Sequence, residues 1–179
     1  MSNLVRKDNV AIAAASGEER LQYLTFVLQG ETFAISILHV KEIMEYGHLT
    51  TVPMMPDFIS GVINLRGSVV PVVDLSARFG GKKTDITKRT CIVIIEVPMD
   101  ENERQIIGVI VDAVNEVLEI PASEIEPAPA FGTRIRADFI EGMGKINGRF
   151  VIILNVAKVL STSDLGLLEQ AERLAEAAQ

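Results

Sequence analysis

The stretch Val52–Gly80, VPMMPDFISGVINLRGSVVPVVDLSARFG, decides how the chain is read. It holds two β-branched runs, Phe58–Ile63 and Val69–Val73, separated by Asn64-Leu65-Arg66-Gly67. Gly67 allows the tight reversal of a hairpin, so the stretch predicts two strands joined at those four residues. Pro71 has no backbone donor, which places the second strand at a sheet edge or gives it a bulge there. Pro53 and Pro56 fence a turn ahead of the hairpin.

Working outward, Leu21–Leu28 alternates as a strand, with Tyr23, Thr25 and Val27 on one face and Leu24, Phe26 and Leu28 on the other. Gln29-Gly30-Glu31 turns the chain back into Phe33–Ile37. Leu38–Glu45 fits both the helical and the strand period, and its spacing leaves the choice open. Leu49–Val52 is extended.

The second half of the chain then repeats the first. Phe33–Met44 lies over Ile107–Leu118, with Val40 on Val114 and Glu42 on Glu116, and Phe58–Gly67 lies over Phe139–Gly148. Val70, Val73 and Asp74 meet Val151, Leu154 and Asn155, and Tyr23–Leu28 meets Cys91–Glu96. Each copy supplies about five short strands, a pattern suited to a small, nearly closed barrel rather than a parallel α/β sheet. The expected fold is all-β: two barrels related by internal duplication. A unit of roughly 70 residues buries its apolar faces only marginally alone, so the barrels should pack through a shared core. The boundaries read as a flexible tail over 1–18, one domain over 19–160 with barrels at 19–82 and 88–160, and a C-terminal helix over 161–179. Ser161 or Ser163 can cap that helix, Leu167, Ala171, Leu174 and Ala178 share a stripe, and Gly166 weakens its first turn.

The duplication also separates fold from function, because a residue the fold needs should recur in both copies. Gly61 and Gly67 meet Gly142 and Gly148, which argues for turn and backbone roles. Asp74 meets Asn155, and both can hold a turn by bonding to the backbone, so Asp74 is not read as a catalytic acid. Glu42 recurs as Glu116, which favours a structural role such as a strand-end hydrogen bond. Arg66 faces Asn147 and Asn64 faces Lys145, so these two become site candidates. A hairpin-tip arginine is commonly a solvated charge, yet its five donors form a rigid fork suited to a partner's carboxylate. Ile63 and Leu65 could rim such a contact.

Composition excludes several classes. The net charge of −7 opposes binding to a phosphate backbone or an anionic membrane surface. No apolar run is long enough to span a bilayer. Arg6 and Lys7 ahead of Val10–Ala15 faintly resemble a signal peptide, but Asp8 intrudes and the run is short. The single cysteine, Cys91, reads as a small buried hydrophobe, fitting a reducing compartment. His39 and His48 fall in no metal-ligand spacing, no thiol pair exists, and no serine lies in a nucleophile elbow. Acidic residues at 96, 100, 101 and 103 form a charged hairpin tip. No catalytic residue, metal or cofactor is expected.

The succession FVLQGETFAISI, VKEI, VP, FISGVINLRG, VVPVVDL and RFG resembles the CheW family, the adaptor proteins of bacterial chemotaxis. The resemblance runs from about Gln22 to the C-terminal helix. It implies two SH3-like five-stranded barrels and no catalysis. It also implies an adaptor that links the cytoplasmic tip of chemoreceptors to the regulatory domain of the histidine kinase CheA. Such a protein is cytoplasmic and recruited to membrane-associated receptor arrays. The receptor-facing surface implied for this chain comprises Val40, Glu42, Asn64, Leu65 and Arg66, while the kinase-contact residues are unknown. Three other readings stay open: a chemosensory pathway governing pili or a second-messenger cyclase, a generic SH3-like peptide binder, and a small β-barrel enzyme.

Overall fold

The computed structural model describes residues 20–98, 103–128, 137–160 and 162–178. The expected tail over 1–18 and the acidic residues 100 and 101 lie outside the described residues. The chain begins with a hairpin of β1 (Arg20–Leu28) and β2 (Glu31–Ser36), and a 3-10 turn over Ile37–His39 leads into β3 (Val40–Glu45). Thus Leu38–Glu45, ambiguous by period, is a turn followed by a strand. The Val52–Gly80 stretch forms β4 (Ile59–Leu65), β5 (Ser68–Asp74) and a one-turn helix α1 (Leu75–Arg78). The second copy supplies β6 (Cys91–Pro98), β7 (Arg104–Val111), β8 (Ala113–Pro121), β9 (Ile125–Glu126), β10 (Ile140–Ile146), β11 (Arg149–Leu154) and the one-turn helix α2 (Val156–Val159). Helix α3 (Thr162–Ala178) follows.

The strands form two sheets, in the orders β3-β6-β7-β5-β4 and β8-β1-β2-β11-β10-β9. Each is nearly closed, because one continuous stretch of chain joins its two edges. After β3 the chain returns so that Thr50 pairs with Val62 of β4, and after β8 a 3-10 turn leads to β9, which pairs with Met143 and Gly144 of β10. Gly61 and Gly142 make these closures possible. A Cβ on Gly61, whose φ is 151°, would run into the Thr50 carbonyl, and one on Gly142 would sit 2.6 Å from Ile125. Both glycines also stand at a register shift between the strands of their hairpin.

The sheets do not follow the division at 82 and 88 expected from the repeat. Strands β3 to β7, residues 40–111, build an inner barrel, while β1–β2 and β8–β11 build an outer one. The first hairpin of each copy pairs with the third and last strands of the other: β1 with β8, β2 with β11, β6 with β3, β7 with β5. Both copies present the same alternation, so either pairing buries the same faces. Only the tertiary pairing shows which hairpin joins which barrel.

The alternation does predict burial. Leu24, Phe26 and Leu28 enter a shared core with Phe33, Ile35, Val73, Val93, Ile95, Val109 and Leu154, drawn from both sheets. Tyr23, Ala34, Ile120 and Ile153 fill the outer barrel, and Ile63, Val70, Val72, Ile92 and Ile110 fill the inner one. Pro71 lies in a central strand, not at an edge. The parallel ladder of β5 with β7 begins only at Val72, so the missing proline donor falls just before it. Cys91 is half-buried at the start of β6, with its Sγ 3.3 Å from the Arg89 carbonyl.

Helix α3 packs on β4 and β5 through Leu168, Ala171 and Ala175, at i, i+3 and i+7. The expected stripe is therefore shifted, since Leu174 is exposed. Arg78 fastens the start of this helix, with Nη2 3.0 Å from the Asp164 carboxylate and Nε donating to the Val159 carbonyl at 3.0 Å. Its guanidinium lies over the duplicate rings of Phe58 and Phe139, 5.2 and 5.0 Å from their centroids. Among the described residues no helix is long and apolar enough to cross a membrane.

Candidate interaction site

The tip of the β4–β5 hairpin is a two-residue loop. Arg66 has φ 51° and Gly67 φ 87°, successive left-handed residues whose twist matches that of the flanking strands. The Asn64 Oδ1 accepts the Gly67 N–H at 2.9 Å and fixes the loop. Arg66 is thereby projected toward β3, where its fork meets the carboxylate of Glu42. Nη1 lies 3.1 Å from Oε2, and Nη2 donates to Oε1 at 3.2 Å. The pair is bidentate, with 76% of the arginine side chain and 31% of the glutamate side chain exposed. In so much solvent its worth to the fold is small, within about 1 kcal/mol.

This pair rims a groove of about 520 Å³. Lys41 and Leu65 join Glu42 and Arg66 on one side, Arg104 and Gln105 come from β7, and Glu172 comes from α3. Lys41 and Arg104 share Glu96, each 3.5 Å from its Oε2. The Gln105 amide is buried, and its Nε2 donates to Glu172 Oε1 at 2.6 Å. Burial pushes the Glu172 carboxyl above its ordinary value of 4.5; the Gln105 hydrogen bond pulls it down, and Glu176 and Glu169 push it up.

The structure thus brings Glu42, Leu65 and Arg66 to one groove. Val40 lies two residues from Glu42, half-buried and packed against the shared core, and Leu65 packs against the inner barrel's core. Asn64 is occupied with its own turn. The recurrence of Glu42 as Glu116 does not reflect a strand-end hydrogen bond. The Glu42 carboxylate pairs with Arg66, and at Glu116 it is the backbone that is held, its N–H and C=O both bonded by the buried Thr25 hydroxyl. Asp74 and Asn155 do share a structural task, since each caps a one-turn helix through its side-chain oxygen. Asp74 additionally accepts the Thr84 N–H and hydroxyl, both at 2.8 Å. Gln105, Arg104 and Glu172 escape sequence reasoning because they stand 39, 38 and 106 positions from Arg66 and carry no motif.

A second depression, about 540 Å³, lies among Gln29, Ser76, Lys82, Lys83, Thr84 and Asp112. Its hydrogen bonds are internal: the Gln29 N–H donates to Asp112 and the Gln29 amide to Ser76. No group of three or more metal-ligating side chains gathers among the described residues. The chemistry available in the first groove is ionic and hydrogen-bonding, of a kind suited to holding a partner.

Comparison with known proteins points the same way. A family model described as CheW-like domain matches residues 22–164. The chain is 32% identical over 152 residues to the chemotaxis protein CheW of Klebsiella aerogenes, covering 85% of this chain and 89% of that one. It is 37% identical over 137 residues to the chemotaxis protein CheW of Bacillus subtilis, covering 76% and 85%. The crystal structure of the scaffolding protein TtCheW from Thermoanaerobacter tengcongensis superposes with a TM-score of 0.72 at 35% identity, covering 82% of this chain and 91% of that one.

Proposed function

The chain belongs to the CheW-like family, and on that premise we propose that it is a non-catalytic adaptor coupling chemoreceptors to a CheA-type histidine kinase. The observation that carries this reading is the Glu42–Arg66 pair at the rim of the groove. Its two charges are held by a tight hairpin and a strand, yet the hairpin does not need the arginine, because the second copy forms the same turn with Asn147. A partner carboxylate can take over part of the guanidinium fork, and a partner cation can meet Glu42. The pair then sets register and partner choice, while apolar barrel surface supplies affinity. The receptor-facing surface is Val40, Glu42, Leu65 and Arg66, with Asn64 holding the turn. The protein works in the cytoplasm, recruited to receptor arrays, and its barrels hold the kinase regulatory domain on other surfaces.

Arg66→Asn tests this directly, since it copies the residue the second hairpin already uses at the same left-handed φ. The purified parent should recover a chemoreceptor and a CheA-type kinase from an extract of its own source. The variant should lose the receptor selectively, by about tenfold or more in affinity, with its melting temperature unchanged or slightly raised. Equal receptor recovery by both proteins, or unfolding of the variant, would overturn the assignment.

A further inference from the structure

The groove has two walls, and the second carries a charge that the Glu42–Arg66 pair does not account for. Glu172 stands on α3 and lines the groove beside Gln105. Among the described residues its carboxylate is in no ion pair, and its bond is the one from Gln105. The helix does not need it for anchorage, because Leu168, Ala171, Ala175 and the Arg78–Asp164 pair already hold α3 in place. Nor does the hydrogen bond need a carboxylate, since an amide oxygen would accept from Gln105 equally well. The negative charge is therefore unfavourable in the free fold: it is half-buried and shares its helix with Glu169 and Glu176, which lie three and four residues away. A charge that burdens the free protein and lines an open groove is poised for a partner.

The remaining charges give the partner's chemistry. Lys41 and Arg104 are tied to Glu96, and Arg66 to Glu42, through contacts that leave the side chains of Lys41, Arg66 and Arg104 50%, 76% and 68% exposed. Acidic groups of a bound segment have cations to meet on that side. A wholly acidic segment would cover Glu172 and leave it buried without a counter-charge, which costs affinity.

We propose that Glu172 is a partner-contact residue, so that the groove takes a segment bearing both signs: an acidic side chain on Arg66 and Arg104, and a lysine or arginine on Glu172. Gln105 is the positioning residue, its buried amide fixing the carboxylate that receives the cation. This deepens the adaptor reading and rests on it.

The test uses the cytoplasmic fragment of the receptor recovered with the parent chain, titrated against the full-length protein, the Arg66→Asn variant and two variants at Glu172. Glu172→Gln keeps the oxygen that accepts from Gln105 and removes the charge. It should weaken fragment binding about tenfold without lowering the melting temperature. Glu172→Lys should weaken it further, and reversing the matching basic residue of the fragment should restore binding. If Glu172→Gln binds like the parent while Arg66→Asn does not, this inference falls and the adaptor reading stands. If Glu172→Gln and Arg66→Asn both bind like the parent, this inference and the Glu42–Arg66 site assignment fall together, and failure of the parent itself to bind the fragment would overturn the adaptor reading. If Glu172→Gln loses binding and stability together, Glu172 is structural and the inference is overturned.

Discussion

The hairpin tips Leu65-Arg66-Gly67-Ser68 and Ile146-Asn147-Gly148-Arg149 are one backbone with two chemistries. Arg66 and Asn147 both have φ 51°, and the glycines that follow have φ 87° and 80°. Asparagine is at home in that region, whereas arginine enters it at a small cost that nothing in the turn repays. The first copy accepts that cost and gains a bidentate pair with Glu42; the second has Glu116 and an uncharged asparagine at the matching positions. Duplication has thus held the fold constant while one copy acquired a charged rim. Among the described residues only the first copy carries a long helix on its β4–β5 hairpin, whereas Phe150, the counterpart of helix-covered Val69, is 55% exposed.

If the copies are structurally equivalent, damage to the fold should be symmetric. Gly61→Ala and Gly142→Ala each force a Cβ into the strand that closes the barrel. Gly61→Ala, at φ 151° and against the Thr50 backbone carbonyl, should cost on the order of 2–4 kcal/mol by chemical denaturation, and Gly142→Ala, which meets the Ile125 methyl and the Glu126 carbonyl, about 1–3 kcal/mol; free tolerance of either would break the equivalence. Function should be asymmetric. Asn147→Arg installs the charge in the second copy, where stability should shift by no more than about 0.5 kcal/mol. Combined with Arg66→Asn it should not restore receptor capture, because no helix carries a Glu172 beside that tip. Restored capture would show that the pair alone, without its groove, makes the site. The smallest effect concerns Glu172 itself. Its folded value is raised, so the folded state holds the proton more tightly than the unfolded state. Stability should fall as pH rises from 4.5 through that raised value. The difference between parent and Glu172→Gln across this range isolates the group, and a difference independent of pH would remove the case for its burial.

Much of this was legible in the sequence. The hairpin reversal followed from Gly67, although the four-residue connection expected there is only Arg66-Gly67, the backbone role of Asp74 and Asn155 followed from their match in the repeat, and the two-faced burial of β1 from simple alternation. Three things were not. Strand exchange between copies is invisible to periodicity, because β1 and β6 present interchangeable faces. The place of Pro71 in a central strand depends on where the β5–β7 ladder starts, a tertiary fact. The far wall of the groove joins Gln105 to Glu172 across 67 positions, and no local pattern marks either residue. Recurrence in the repeat also left Glu42 open, since a shared residue can be held by different partners in its two settings: its carboxylate pairs with Arg66, whereas at Glu116 the backbone is bonded to Thr25.

The insertion of one barrel's sequence between the strands of the other also governs how the protein is made. Synthesis completes the inner barrel once residue 111 has emerged, but the β1–β2 hairpin, translated first, has no partner strand until β8 and β11 follow. The backbone edges of β1 and β2 therefore stay unpaired until β8 and β11 emerge, although Leu24, Phe26, Leu28 and Phe33 can already pack on the finished barrel through the shared core. The outer barrel closes only with residue 154, so the two ends of the domain are sealed together in the last step.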